Sequence, residues 1–206
     1  MPSVYDLKPR FQRLLRPTMR ALARAGVTPN AVTVTALFGS IIAGVAVSFA
    51  GGRQPLLLLL PLWLFLRMAL NAIDGMMARE LNMSSDLGGV LNELGDAVSD
   101  LGLYLPLAFV YQPAQWSVIA FSIGAVLTEF CGVLGRALGA TRHYEGPMGK
   151  SDRAFFVGAL GLVTFLFPAV LKTWPWIFGI GALLTAATCL NRLTRALKEL
   201  QARDSK

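Results

Sequence analysis

The chain has 206 residues, of which 54% are hydrophobic and 15% are charged, and its formal net charge is +7 at pH 7. Soluble domains usually carry about 25% charged residues, so the composition excludes an ordinary soluble protein and favours a membrane protein. The two cysteines, Cys131 and Cys189, both lie in apolar segments, which excludes a disulfide framework and a metal-thiolate site.

The first predicted element is an interfacial helix within residues 1–26. Apolar residues alternate with arginines at near-helical spacing, which gives one face for the acyl boundary and one for anionic headgroups. The apolar set is Phe11, Leu14, Leu15, Met19 and Leu22, and the basic set is Arg13, Arg16, Arg20 and Arg24. The segment lacks the apolar stretch and cleavage site of a removable signal peptide. The alternative is a solvated basic tail.

Six apolar runs follow, each of the length that a helix needs to cross a hydrocarbon core about 30 Å thick. Their predicted bounds are 31–50, 54–78, 87–111, 115–139, 153–171 and 174–195. The predicted fold class is therefore all-α, an integral membrane bundle of six transmembrane helices with an N-terminal interfacial amphipathic helix. Residues 1–206 are expected to form one domain, because the short loops leave no room for a second. Its parts are the interfacial helix 1–26, the bundle 27–195 and a basic cytoplasmic tail 196–206.

The basic residues fall unevenly about these spans. Sixteen of the 19 lysines and arginines lie on one side, whereas Arg53 and Lys172 lie on the other and Arg67 lies within a span. The positive-inside rule then places both termini in the cytoplasm. The positive net charge is explained by this topology, and no folded basic surface remains for nucleic acid.

Acidic and amide residues interrupt the second and third spans, where they are costly and usually functional. Asn71, Asp74 and Ala78 share one face of the second span by their spacing. On the third span a stripe with a spacing of four residues is formed by Gly88, Asn92, Asp96 and Asp100. Facing stripes of oxygen ligands without His or Cys suit Mg²⁺, Mn²⁺ or Ca²⁺. The alternative is a set of hydrogen bonds between helices.

The stretch from Asn71 to Asp96 resembles the signature of the CDP-alcohol phosphotransferases, D-x-x-D-G-x-x-A-R-x8-G-x-x-x-D-x-x-x-D. Six of its eight defined positions match, namely Asp74, Gly75, Ala78, Arg79, Gly88 and Asp96. Asn71 and Asn92 stand at the first and third acid positions. The six-helix plan and the sequence Val27-Thr28-Pro29-Asn30 before the first span are also similar to the family, so the resemblance covers most of the chain.

The resemblance implies an enzyme that moves a phosphatidyl group from CDP-diacylglycerol to a small alcohol acceptor, with release of CMP. Asp96 would be the general base. The metal-side groups would be Asn71, Asp74, Asn92 and Asp96, with Asp100 as an additional acid, and Gly75, Ala78, Arg79 and Gly88 would line the CDP site. The implied cofactor is a divalent metal, Mg²⁺ or Mn²⁺. Because an amide brings no negative charge, occupancy is expected to fall from two ions to one. Arg67 could replace part of the metal's charge or pair with Asp74.

The cytoplasmic loop 135–153 is the predicted acceptor site. Its cations Arg136, Arg142, Lys150 and Arg153 could bind a phosphate, which favours a phosphorylated polyol as the acceptor. An ordinary basic loop that contacts anionic lipid headgroups is an equal alternative. Glu129, in the fourth span, is expected to pair with a base such as Arg136, and His143 is interpreted as a loop residue.

Two further functions stay open. One is a CDP-amino-alcohol phosphotransferase that acts on a lipid hydroxyl, and the other is a non-catalytic membrane protein that binds CDP-lipid. The expected location is the bacterial inner membrane. Partners would be the donor, the acceptor and the lipid bilayer, without nucleic acid, and the family resemblance allows a homodimer.

Overall fold

The computed structural model describes residues 4–52 and 54–204, and within these ranges the chain forms helices and no β-strand. The all-α prediction is thus confirmed. The long helices are α1 (Val4–Arg24), α2 (Pro29–Ser48), α3 (Leu59–Glu80), α4 (Asp86–Tyr104), α5 (Gln115–Ala137), α6 (Lys150–Leu166) and α7 (Trp174–Asp204). Arg53, predicted to lie on the outer side, and Lys206, predicted in the basic tail, fall outside the described residues, as do residues 1–3 of the predicted interfacial helix.

Each predicted span overlaps one of the helices α2 to α7. The long apolar segments among them are those of an integral membrane protein. Four helical segments among the described residues are long and apolar enough to cross a bilayer: Pro29–Gly51, Gln54–Glu80, Gln112–Ala137 and Pro168–Arg203. Helix α4 carries four acids, so it is less apolar than these segments, and α6, with only 17 residues, is shorter. A count of six spans stays a prediction.

The ends of the helices that carry the polar stripes follow from capping residues. The Thr28 side chain accepts a hydrogen bond from the amide of Ala31 at 3.2 Å and caps α2, whose first residue is Pro29. The Ser85 side chain caps α4 by accepting from the amide of Gly88 at 3.0 Å. Between α3 and α4, Asn82 adopts a left-handed φ of 53°. This short turn returns the chain so that α3 and α4 run antiparallel.

Two apolar clusters hold the bundle together. The larger one contains aliphatic residues from most of the long helices and aromatic rings from α5, α6 and α7, of which Phe121, Phe156 and Phe178 lie with ring centroids 5.5 to 5.9 Å apart. The smaller cluster joins α1, α2 and α3 around the buried side chains of Met19 and Met77. Helix α1 is therefore packed against the C-terminal half of α3, although its predicted interfacial position is not tested by this contact.

Close backbone contact between α2 and α4 depends on small residues, Gly44 on α2 and Gly102 on α4. A Cβ atom at Gly44 would collide with the carbonyl oxygen of Gly102 and lie 3.0 Å from the Cα atom of Leu103. Small residues permit this close approach of membrane helices. The approach brings the start of α2 to the polar faces of α3 and α4.

Candidate functional site

The polar stripes of α3 and α4 meet inside the bundle. The side-chain amide of Asn71 donates to Oδ1 of Asp96 at 3.3 Å, which joins the two helices at the level of the predicted site. Asn71 lies three positions before Asp74 on α3, so the antiparallel return of the chain brings Asp96, 22 positions from Asp74 in the sequence, to the same level of the bundle. The region between the two helices at this level is called the pocket.

Asp74 is almost completely buried, with 4% of its surface exposed. Its Oδ2 atom accepts a hydrogen bond from Oγ1 of Thr33 at 2.7 Å. Its Oδ1 atom is buried and has no hydrogen-bond partner. A buried carboxylate oxygen without a partner is costly, so this oxygen is a natural position for a ligand.

Thr33 was missed by sequence reasoning. It lies one turn after Pro29 in α2, outside the signature, and its hydroxyl also lies 3.1 Å from the carbonyl oxygen of Pro29. The only signal in the sequence was a hydroxyl residue within an otherwise apolar span. A threonine in such a span usually bonds to its own helix, which gives no reason to connect it with α3.

Asp96 lies at the more open edge of the pocket, with 19% of its side chain exposed. Its Oδ2 atom forms an ion pair with the ammonium group of Lys150. Arg67 donates from Nη2 to the backbone carbonyl of Asp96 at 3.2 Å, and the same nitrogen lies 3.6 Å from Oδ1. Lys150 and Arg67 therefore hold both the side chain and the backbone of Asp96.

Asp100 is fully enclosed between two arginines. Its Oδ1 atom accepts from Nη1 of Arg67 at 2.5 Å, and its Oδ2 atom accepts from Nε and Nη2 of Arg153 at 3.0 and 2.8 Å. The suggested pairing of Arg67 with Asp74 is therefore wrong, because Arg67 reaches across to α4. Asp100, predicted as an additional metal-side acid, has both oxygens occupied by these arginines.

Arg153 is also inside the protein and not at a free acceptor surface. Besides Asp100, its guanidinium donates to Oε1 of Glu129 at 2.8 Å, to Oγ1 of Thr128 at 2.7 Å and to the carbonyl of Met148 at 3.1 Å. Every nitrogen of the side chain is thus hydrogen-bonded. Such a satisfied, buried arginine is typical of a structural crosslink.

The other predicted acceptor cations differ in their surroundings. Arg142 pairs with Glu93 and, at 3.3 Å, with Glu129. Arg136 is exposed in the last turn of α5. Glu129 pairs with basic residues as expected, but these are Arg142, Arg153 and Arg192 and not the suggested Arg136.

Helix α7 fixes the loop that contains Arg142, residues 138–149. The Arg192 guanidinium donates to the carbonyl of Tyr144 at 2.8 Å, and Glu199 accepts from the backbone amide of Thr141 at 2.9 Å. His143 lies in this loop, with Nε2 at 3.2 Å from Glu199. A hydrogen bond from its own backbone and the nearby Arg195 lower the pKa of Glu145. These contacts order the loop beside the pocket.

The residues predicted to bind CDP lie near the C-terminal end of α3 and in the first turn of α4. A Cβ atom at Gly75 would lie 3.1 Å from Nη2 of Arg79, so the guanidinium of Arg79 folds over the glycine. Ala78 is half-buried one turn after Asp74. A Cβ atom at Gly88 would lie 2.9 Å from Oδ1 of Asn30. The small side chains thus leave the exposed Arg79 side chain beside Asp74, while CDP binding at these residues stays a prediction.

The donors at the pocket suit one hard cation better than two. Across the described ranges, no group of three or more His, Cys, Asp or Glu residues is arranged to hold a metal. Asp74 offers its free oxygen, and the half-buried Asn92 has no hydrogen bond or ion pair in the described part of the chain. Amide and carboxylate oxygens accept Mg²⁺ or Mn²⁺ when substrate phosphate completes the shell.

Comparisons with known proteins identify the family. A family model described as CDP-alcohol phosphatidyltransferase matches residues 26–189. The chain is 44% identical to the inner membrane protein YnbA of Escherichia coli (strain K12), covering 95% of this chain and 96% of that protein. It is 36% identical to a phosphatidylinositol phosphate synthase of Mycobacterium marinum, covering 89% of this chain and 79% of that one.

Solved structures share the fold. The crystal structure of Mycobacterium tuberculosis phosphatidylinositol phosphate synthase with CDP-DAG bound aligns with a TM-score of 0.77 at 22% identity, covering 89% of this chain and 94% of that chain. A structure of the same synthase in complex with manganese and citrate also gives 0.77, at 21% identity, covering 89% and 88%. At these identities the likeness shows the helical architecture.

Proposed function

We infer that this chain, which belongs to the CDP-alcohol phosphatidyltransferase family, transfers a phosphatidyl group from CDP-diacylglycerol to a small alcohol and releases CMP. The enzyme class follows from the family. CDP-diacylglycerol as the donor is supported by the bound CDP-DAG in the mycobacterial structure of the same fold. A place in the inner membrane is supported by the relative YnbA.

One observation carries this proposal: Asp74 and Asp96, on facing helices that are joined by the hydrogen bond from Asn71 to Asp96, have different surroundings. Asp74 is buried with one oxygen unpartnered, whereas Asp96 lies at the open edge. A buried carboxylate is suited to hold a cation against a diphosphate, and an accessible carboxylate is suited to receive a proton from an arriving hydroxyl. The pair therefore divides the two tasks that phosphoryl-group transfer requires.

In the proposed reaction, Asp96 accepts the proton of the acceptor hydroxyl as its oxygen attacks the phosphorus of the phosphatidyl group. The bond between that phosphorus and the oxygen of CMP breaks, and CMP leaves with the electron pair. Arg79, whose guanidinium folds over Gly75, would bind the nucleotide phosphate. Asn71, Asp74 and Asn92 would hold a divalent ion, Mg²⁺ or Mn²⁺, which supplies charge neutralisation of the diphosphate.

The acceptor is assigned only as a small alcohol. A phosphorylated polyol, favoured by the basic loop, would have to compete with the acids that already pair with Arg142 and Lys150, while Arg153 is buried among its partners. Arg136 alone among the four predicted cations is exposed on the surface of its helix. Acceptors with and without a phosphate therefore both belong in the test.

The test uses purified protein in lipid nanodiscs with Mg²⁺ or Mn²⁺. Labelled CDP-diacylglycerol is offered with a panel of inositol, glycerol and their phosphates, labelled CDP-ethanolamine is offered with diacylglycerol in the nanodiscs, and lipid products are separated by thin-layer chromatography. We expect CMP release and a new labelled phospholipid from CDP-diacylglycerol with one acceptor. Label entering lipid only from CDP-ethanolamine would support the amino-alcohol alternative. Donor binding without CMP release for any acceptor would support a non-catalytic binder.

A further inference from the structure

We propose that the Lys150 ammonium group is a built-in cation of the site, so that the protein takes up a single divalent ion, beside Asp74, and no second ion at Asp96. The inference rests on the proposed function, since it concerns the ions of the same pocket. It replaces the expectation that Arg67 supplies this charge, because Arg67 is held by Asp100.

The charges around the pocket leave room for one divalent ion. Asn71 and Asn92 are neutral, and both oxygens of Asp100 accept from buried arginines. The carboxylates left to neutralise are Asp74 and Asp96, and the ammonium group of Lys150 already neutralises Asp96. Of these three carboxylates, Asp74 alone has no ion-pair partner within the described residues.

The position of Lys150 is fixed by its helix and not by a chance side-chain contact. The amide of Gly149 donates to Oδ2 of Asp152 at 3.0 Å, which closes the first turn of α6 around Lys150. One turn later, Arg153 makes two hydrogen bonds to Asp100. Lys150 and Arg153 lie on one face of α6, and their partners Asp96 and Asp100 lie on one face of α4. The buried pair of Arg153 with Asp100 therefore holds Lys150 beside Asp96.

The contact of Lys150 also determines what else can bind at Asp96. Its ammonium group takes Oδ2, while Asn71 donates to Oδ1 at 3.3 Å and Arg67 lies 3.6 Å from that atom. A second divalent ion at this carboxylate would have to approach two positive side chains and an amide N–H. Like charges at this distance repel strongly in a partly buried site. At Asp74, by contrast, the buried Oδ1 atom has no donor.

The experiment counts Mn²⁺ ions bound to the purified full chain in detergent by electron paramagnetic resonance, which distinguishes free from bound Mn²⁺. We expect one ion per chain in the wild type. Asn92→Asp adds an acid but keeps Lys150, so one ion is again expected. Asn92→Asp combined with Lys150→Met frees Asp96 beside the new acid, and two ions are expected. The matched control combines Asn92→Asp with Lys198→Met, which alters an exposed lysine on α7, and should bind one.

Two ions, or none, in the wild type would overturn the proposal. So would two ions in Asn92→Asp alone, or a single ion in the combined Lys150 variant when it elutes as folded protein. If the variant with Asn92→Asp and Lys150→Met aggregates, the variant with Asn92→Asp and Lys150→Gln takes its place. Failure of the proposed function looks different: one Mn²⁺ would bind, yet no CMP would be released from CDP-diacylglycerol.

Discussion

Three carboxylates of the same type differ in their immediate partners within this site. Asp74 is held by a threonine hydroxyl and keeps one oxygen free, Asp96 is held by Lys150 at the edge, and Asp100 is clamped by two buried arginines. Their spacing in the sequence does not distinguish which of them binds metal. In the proposed mechanism these surroundings would make Asp74 a metal ligand and Asp96 the base, whereas Asp100 forms a structural ion pair, because the role open to a carboxylate depends on what already occupies its oxygens.

Asp96→Asn is expected to abolish CMP release while donor binding is largely kept. An amide cannot accept the proton of the acceptor hydroxyl, and loss of a general base costs about 100- to 10,000-fold in rate. Turnover is measured as CMP release in nanodiscs, and binding by titration with CDP-diacylglycerol. Undiminished turnover in this variant would refute the role of Asp96 as the base.

Thr33→Val is expected to lower turnover about 10- to 100-fold, because a hydroxyl that orients a ligating carboxylate acts through that carboxylate. Valine keeps the shape of threonine but removes the 2.7 Å hydrogen bond to Asp74. Thr35→Val is the matched control, since the Thr35 hydroxyl bonds only to the carbonyl of Ala31 on its own helix. The apparent affinity for Mn²⁺ should weaken in Thr33→Val alone. Equal values for the two variants would count against a positioning role.

At the scale of elements, buried ion pairs join α3, α4, α5 and α6 at one level. Arg67 and Asp100 connect α3 to α4, and Arg153 connects α6 to both Asp100 and Glu129. Removing one partner of such a network leaves a buried charge without compensation, which costs more than the pair itself is worth. The first turn of α6, which carries Lys150, depends on this network for its position.

Arg153→Met is expected to destabilise the protein by about 3 to 5 kcal/mol, because Asp100 and Glu129 would both lose a buried partner. The measurement is thermal unfolding in detergent, followed by intrinsic tryptophan fluorescence. Arg136→Met makes the same substitution at an exposed position of α5 and should leave the midpoint nearly unchanged. A small shift for Arg153→Met would mean that the network contributes little to folding.

Gly44→Ala tests the contact between α2 and α4. The added methyl group would collide with the carbonyl of Gly102, so the helices must move apart, and about 1 to 3 kcal/mol of stability should be lost. Gly179→Ala on α7 is the control, because a Cβ atom there meets nothing within 4 Å. Turnover should fall with Gly44→Ala if the displacement reaches Thr33. A variant as stable as the wild type would mean that the two helices accommodate a methyl group and that this contact is not tight.

The sequence was sufficient to predict the helices and the polar stripes, because apolar run length and residue spacing are local properties. It placed Asn71, Asp74 and Asp96 on facing helices, since a short turn with Asn82 and Ser85 forces α3 and α4 to return. It could not reveal which cation meets which acid. Lys150 lies 54 positions from Asp96, and Thr33 lies 41 positions from Asp74, so both contacts arise only from packing.

At the scale of the whole molecule, the distribution of basic residues predicts that both termini lie in the cytoplasm. A green fluorescent protein fused after the C-terminus should therefore fluoresce, and alkaline phosphatase at the same place should be inactive. Fusions at Lys172, between α6 and α7, should show the reverse. The opposite pattern would place the pocket on the outer side, away from cytoplasmic CDP-lipid and acceptor.

Helix α7 has 31 residues, which gives it a length of about 46 Å at 1.5 Å per residue, whereas the hydrocarbon core is about 30 Å thick. Beyond the predicted span, which ends at residue 195, the excess bears Glu199, which accepts from the backbone amide of Thr141, while Arg192 in the last turn of the span donates to the carbonyl of Tyr144. The loop 138–149 is therefore fastened to a helix that carries none of the signature residues. Substitutions on α7 are accordingly expected to disturb Arg142 and its partner Glu93 from outside the signature.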